Sequence, residues 1–150
     1  MTARKPSTWE RLRAALFGPR RWRPSSPDGR LAERAAARYL RRNRYRIIGS
    51  NVRTRVGEAD LVCIAPDRST IVIAEVKSRR RSPDQPARSA AMAPETAVDA
   101  EKRRRLQRVA RHLAAANGWR DRPVRIDVVA VEIDPRDRAS VRHIPDLAWI

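Results

Sequence analysis

Asp60, in the run GEADLVCIA, and Glu75 and Lys77, in the run TIVIAEVKSR, are the side chains whose types and spacing could do chemistry. Two carboxylates held within about 5 Å of each other repel by roughly 3 kcal/mol at an effective dielectric near 20. A divalent cation turns that repulsion into attraction, and Mg²⁺ takes one or two carboxylates together with waters and substrate phosphate oxygens. A lysine beside such a pair can hold a phosphate oxygen or orient an attacking water. Metal-assisted phosphodiester hydrolysis is the reaction these parts suit. The plainer reading is a same-face ion pair of Glu75 with Lys77 at a strand end, with Asp60 as a turn residue.

The choice of lysine adds weight. Of the 34 basic residues only Lys5, Lys77 and Lys102 are lysines, so position 77 departs from the chain's habit of writing positive charge as arginine. Arginine is a planar and permanently charged fork, whereas lysine is a compact charge whose pKa can move.

These residues need elements to position them. In a strand, alternate residues share a face. Ile71, Ile73, Glu75 and Lys77 therefore lie on one side, and Val72, Ala74 and Val76 on the other. Apolar residues on both faces mark an interior strand. The preceding strand, EADLVCIA, follows the turn-forming Val56-Gly57, and Pro66-Asp67-Arg68-Ser69 joins the two as a hairpin. The start of one strand then lies beside the end of the next, which brings Asp60 towards Glu75 and Lys77. Alternation also sets Glu58 on the same side of its strand as Asp60.

Upstream, helical spacing predicts a helix over residues 29–42, with Asp28 as cap and Asn43 at the exit, then a strand in RIIGSNVR. Residues 78–93 read as a long loop. A second helix starts near Pro94 and Thr96, ends at Asn117-Gly118, and buries Val98, Leu106, Val109, Ala110 and Leu113. VRIDVVAVEI is a strong strand and ASVRHI a weaker last one. The fold class is α/β, a mixed sheet with helices on it in the order α-β-β-β-α-β-β. Residues 1–28 read as a basic N-terminal arm outside a domain at 29–150. Asp127, inside an apolar strand, is either a structural hydrogen-bonding acid or a neighbour of the site.

Global composition narrows the partner. A net charge of +17 attracts polyanions, nucleic acid first among them. One cysteine, Cys63, and two histidines, His112 and His143, cannot assemble a thiolate or imidazole zinc site, so any metal is held by oxygen. Cys63 itself, in LVCIA, reads as a small core hydrophobe. No apolar run approaches the roughly 18 residues of a membrane span, and a cytoplasmic location is the expectation.

Taken together, Gly29 to Glu33 (G-x-x-x-E), YL, YRII, NVRT, GEADLV, EVKSR, PETAV and RIDVVAV resemble the YraN family, in the PD-(D/E)xK nuclease superfamily and related to archaeal Holliday junction resolvases. The resemblance runs from about Gly29 to the C-terminus. It implies a restriction-endonuclease-like mixed sheet and an Mg²⁺- or Mn²⁺-dependent endonuclease acting on DNA, with branched or structured DNA as a candidate substrate. It would make Asp60 and Glu75 the metal-binding carboxylates, Lys77 the lysine of the motif, and Glu33 the acid on the first helix. Glu58 would support the site, and Arg79, Lys102 and Arg55 would touch nucleic acid. Resolvase relatives work as dimers, so a homodimer is implied. From the residues alone, Glu33 and Lys102 read equally as solvated helix positions. Ala32 stands where the family has a second glycine, and Ala59 where the superfamily often has proline. A nucleic-acid-binding module that keeps the fold without turnover is the rival reading, and an arginine-driven RNA-binding assembly factor is a third.

Overall fold

The first helix, α1 (Pro27–Arg42), is capped by Ser26, whose hydroxyl accepts from the Gly29 N–H at 3.1 Å. The cap is therefore Ser26 rather than Asp28, and the helix begins two residues earlier than periodicity predicts. Proline suits this first position because its missing N–H has no helical partner there anyway. Asp28, released from capping, pairs with Arg80 at 2.6 Å. Asn43 ends the helix as expected, with both its backbone N–H and its side-chain amide on the Tyr39 carbonyl. The computed structural model describes residues 26–84 and 99–150, so residues 1–25 of the N-terminal arm, and Val98 with the predicted start of the second helix, lie outside the described residues.

Five strands follow: β1 (Arg46–Thr54), β2 (Gly57–Ile64), β3 (Ile71–Arg80), β4 (Val124–Ile133) and β5 (Ala139–Trp149), with helix α2 (Ala100–Ala116) between β3 and β4. They form one sheet in sequence order, antiparallel throughout except for the β3–β4 pair, which is parallel. A parallel pair requires a crossover, and α2 supplies it. The order α-β-β-β-α-β-β is that expected from the sequence.

Central β3 is apolar on both sides because it is covered on both. Ile71 and Ile73 pack with Leu106, Val109 and Leu113 of α2, while Val72 and Ala74 pack with Ala36 and Leu40 of α1. The small buried residues Ala32, Ala36 and Ala37 form most of the contact face of α1. On the other side, Gly57 opens β2 with φ +143°, and a Cβ there would meet Val109 Cγ2 at 2.9 Å. Glycine at this turn satisfies the backbone conformation and the close approach of α2 together. The hairpin turn at 66–69 is fixed by Asp67, which accepts from the N–H groups of Ser69 and Thr70 and from the Thr70 hydroxyl.

Two expectations need correction. β3 runs three residues beyond Lys77 to Arg80, laddered to β4 all the way, so the predicted loop does not begin at Ser78 and Glu75 and Lys77 do not sit at a strand tip. The parallel partnership with β4 holds the strand extended where hydrophobic pattern gives no signal. The last strand likewise continues past ASVRHI to Trp149, paired to β4. Among the described residues no helix is long and apolar enough to cross a membrane.

Candidate active site

The β2–β3 ladder runs from Ile64↔Ile71 to Leu61↔Ala74 and stops. Beyond that point β3 stays with β4, Glu75 opposite Val128, and parts from β2. The Val76 N–H finds its acceptor in a side chain, Asp60 Oδ2, at 2.8 Å. Asp60 thus occupies the opening where two strands separate, and Glu75 stands at the other lip. The hairpin brings the two acids together, as the sequence implies.

Glu75 is 4% exposed, and it is not left uncompensated. Lys102 Nζ lies 2.7 Å and Lys77 Nζ 3.5 Å from its Oε1. Lys102 comes from the first turn of α2, where Asp99 caps the helix by accepting from the Lys102 N–H at 2.7 Å. Two of the three lysines of an arginine-rich chain therefore converge on one buried carboxylate. Lys102 is not on a solvated helix face. Removing a partner from a buried ion pair leaves a charge without compensation. Lys102→Met is expected to lower stability by about 2 kcal/mol in urea unfolding at pH 7, with Lys102→Arg retaining most of it.

Burial raises the Asp60 carboxyl to about 7, and the neighbouring Glu75 charge adds to the rise; Val76 and Lys102 oppose it, and Glu33 contributes a further push upwards. The Glu33 charge on α1 is thus felt at Asp60. Glu33 Oε2 accepts from the Asn51 amide at 2.9 Å, and Asn51 sits in β1 with φ +51°.

The other predicted residues are paired with acids or stand exposed. Glu58 is exposed and pairs with Arg53 at 3.5 Å, on a shallow pocket of about 300 Å³ shared with Arg105. Arg55 is exposed in the β1–β2 turn. Arg79 is engaged by Glu132 at 2.7 Å, and its Nε is buried with no hydrogen-bond partner. Asp127, left open by the sequence, is a structural acid. It is fully buried, takes a two-pronged contact from Arg125 at 2.7 and 2.9 Å, and lies 2.8 Å from His143 Nε2. Cys63 is buried with its thiol pushed up to about 12 by burial, as befits a core residue.

Could the pair hold a metal? Among the described residues no group of three His, Cys, Asp or Glu side chains gathers into a ready-made ligand set. Two carboxylates suffice for Mg²⁺ when water and phosphate complete its shell. Asp60 meets the Val76 N–H through Oδ2, and the lysine contacts of Glu75 fall on Oε1. Two acids close enough for the charge of Glu75 to disfavour ionisation of Asp60 fit a hard cation.

Sequence reasoning missed a groove along α1. Glu33, Arg34, Arg38 and Arg41 of α1, with Ser50 of β1 and Leu61 of β2, line an open groove of about 410 Å³. The spacing of those arginines on one helix was the available signal.

The model of the uncharacterised protein family UPF0102 matches residues 32–131, a span that holds Glu33, Asp60, Glu75, Lys77 and Lys102. The chain is 44% identical over 116 residues to a UPF0102 protein of Symbiobacterium thermophilum, covering 77% of this chain and 91% of that one. A UPF0102 protein of Geobacter sulfurreducens is 38% identical over 112 residues, covering 75% and 80%. One from Renibacterium salmoninarum is 37% identical over 119 residues, covering 79% and 93%. With two thirds of its length inside the family model and relatives matched over most of their own length, the chain belongs to the uncharacterised protein family UPF0102.

Proposed function

We propose that the protein is a metal-dependent endonuclease of the PD-(D/E)xK type, hydrolysing phosphodiester bonds in DNA. The observation that carries this reading is the meeting of Asp60 and Glu75 at the β2–β3 opening, with Lys77 and Lys102 beside them. Asp60 and Glu75 would hold Mg²⁺ or Mn²⁺, which when bound lowers the pKa of water and offsets phosphate charge. Lys77, with about a third of its side chain exposed, is the lysine free to meet a phosphate oxygen or orient water. Lys102, closer to Glu75 and more enclosed, fixes that carboxylate in place. Glu33, on α1, would add a negative charge felt at Asp60 without completing a ligand set.

The test is a cleavage panel of branched, single-stranded and duplex DNA with Mg²⁺ or Mn²⁺. Lys77→Ala is expected to cut at least 100-fold more slowly than wild type, the usual cost of removing one electrostatic stabiliser. No cutting of any substrate, or equal cutting by the variant, sinks the enzymatic reading.

One observation favours the rival, a nucleic-acid-binding module without turnover. Two ammonium groups already compensate Glu75, so the site coheres with no ion bound. Calorimetry separates the two readings: heat of Mg²⁺ binding that disappears in Glu75→Gln supports the nuclease, and its absence in wild type supports the rival.

A further inference from the structure

Arg34, Arg38 and Arg41 follow one another at intervals of four and three residues, which stacks them on one face of α1. All three are exposed and line the same groove, together with Glu33, whose charge is felt at Asp60, and Leu61, the residue next to Asp60 in β2. Among the described residues none of the three guanidinium groups has an ion-pair partner. Some arginines elsewhere are matched: Arg79 with Glu132, Arg80 with Asp28 and Asp137, Arg125 with Asp127, Arg138 with Asp134. A chain that pairs these arginines yet leaves three adjacent ones unneutralised in a groove presents an anion-binding track.

Spacing identifies the anion. Seven residues of helix advance about 10 Å at 1.5 Å per residue. One nucleic-acid strand carries a phosphate every 3.4 Å or so of axis in a duplex, so the row spans about three phosphates. Guanidinium is also the group that grips phosphate bidentately. We propose that the α1 groove is the track for one nucleic-acid strand, gripped through its phosphates by Arg34, Arg38 and Arg41 and led past Glu33 to the Asp60–Glu75 pair. The floor of the groove, with Ser50 and Leu61, offers no array of base-reading groups, so recognition here is of backbone rather than sequence. This assignment rests on the reading of the site as one that acts on nucleic acid.

Binding measured in EDTA, where no metal-dependent cleavage occurs, tests it separately from catalysis. The probes are a labelled single-stranded DNA, a single-stranded RNA of the same sequence and the corresponding DNA duplex, each titrated at several salt concentrations. Each phosphate contact on a single strand contributes about 0.7 to the slope of log K against log salt. Arg34→Ala/Arg38→Ala/Arg41→Ala is expected to reduce that slope by about 2. The matched control is Arg104→Ala/Arg108→Ala/Arg111→Ala, the same spacing and charge on exposed positions of α2. It should change the slope by less than half as much. Substituted positions are exposed, and circular dichroism melting checks that both proteins fold alike. Loss of slope with DNA, or with DNA and RNA together, supports the track and identifies the strand it takes. An equal effect of the two triple variants, or none on any probe from the α1 variant, overturns it. A protein that never cuts can still pass this test, so failure of cleavage and failure of the track are told apart.

Discussion

Asp60→Asn is expected to make the protein more stable at pH 8 and, under the proposed nuclease reading, to abolish cleavage of DNA. The Asp60 carboxyl titrates near 7 in the folded chain against 3.8 as the ordinary value, because burial and the Glu75 charge both disfavour its ionised form. Between those limits the folded state binds more protons than the unfolded state, so ionisation of Asp60 erodes stability as pH rises from about 4 to 7. Three units correspond to at most about 4 kcal/mol. Asparagine keeps an oxygen for the Val76 N–H but brings an amide NH₂ that needs acceptors, so a net gain of about 2 kcal/mol is expected. For a domain of this size that is a rise of several degrees in Tm. The gain should shrink as pH falls towards 4, since Asp60 is then protonated anyway. Thermal melts of both proteins from pH 5 to 8 check the sign. Added Mg²⁺ should raise the Tm of wild type by linkage and leave Asp60→Asn unmoved. A variant less stable than wild type at pH 8 would contradict the electrostatic account of the pair.

Asp127→Ala should have the opposite effect, and a larger one. Asp127 is fully buried and receives Arg125, His143 and the Asp146 N–H, the last at 3.2 Å. Arg125 also reaches the Tyr45 hydroxyl at 3.0 Å and lies over the Trp149 ring, so the acid ties β4 and β5 to the segment entering β1. Removing it strands a largely buried guanidinium, a loss of about 3–5 kcal/mol. Burial by itself would push the Asp127 carboxyl up, but hydrogen bonds from His143 and Arg125 outweigh it and hold the group below the usual carboxylate range. Its contribution is therefore present above about pH 4 and lost as pH falls through the lowered value. Denaturant titrations at pH 7 and pH 3 should show a wide gap between wild type and variant at the first and a narrow one at the second. A gap under 1 kcal/mol at pH 7 would reduce the network to decoration.

The two acids illustrate what a sequence can and cannot disclose. Both stand in apolar strands, and alternation alone puts each in the sheet. Asp60 was legible as a candidate because a hairpin must bring it towards Glu75, a consequence of local connectivity. Asp127 was ambiguous because its partners, Arg125 two residues away and His143 on the next strand, depend on the β4–β5 register. The same limit hid the Glu75–Lys102 contact, since the approach of α2 to the sheet is set by packing of Leu106, Val109 and Leu113 around Gly57. Lysine usage was a faint sign of it. Strand ends were misjudged where pairing rather than hydrophobicity sustains them, as at Ser78 to Arg80. The capping error at Asp28 arose because Ser26, two residues earlier, competes for the N–H groups of the same first turn.

The bond between Asp60 and the Val76 amide limits denticity. With Oδ2 engaged by the backbone and Glu75 Oε1 by two lysines, a cation would meet each acid through its other oxygen. Two single-oxygen ligands suit a small octahedral ion that keeps most of its waters. A larger ion such as Ca²⁺, which readily takes both oxygens of one carboxylate, would have to break the Val76 bond or displace the lysines to do so. Ion discrimination in this site would then follow from the place where two strands part.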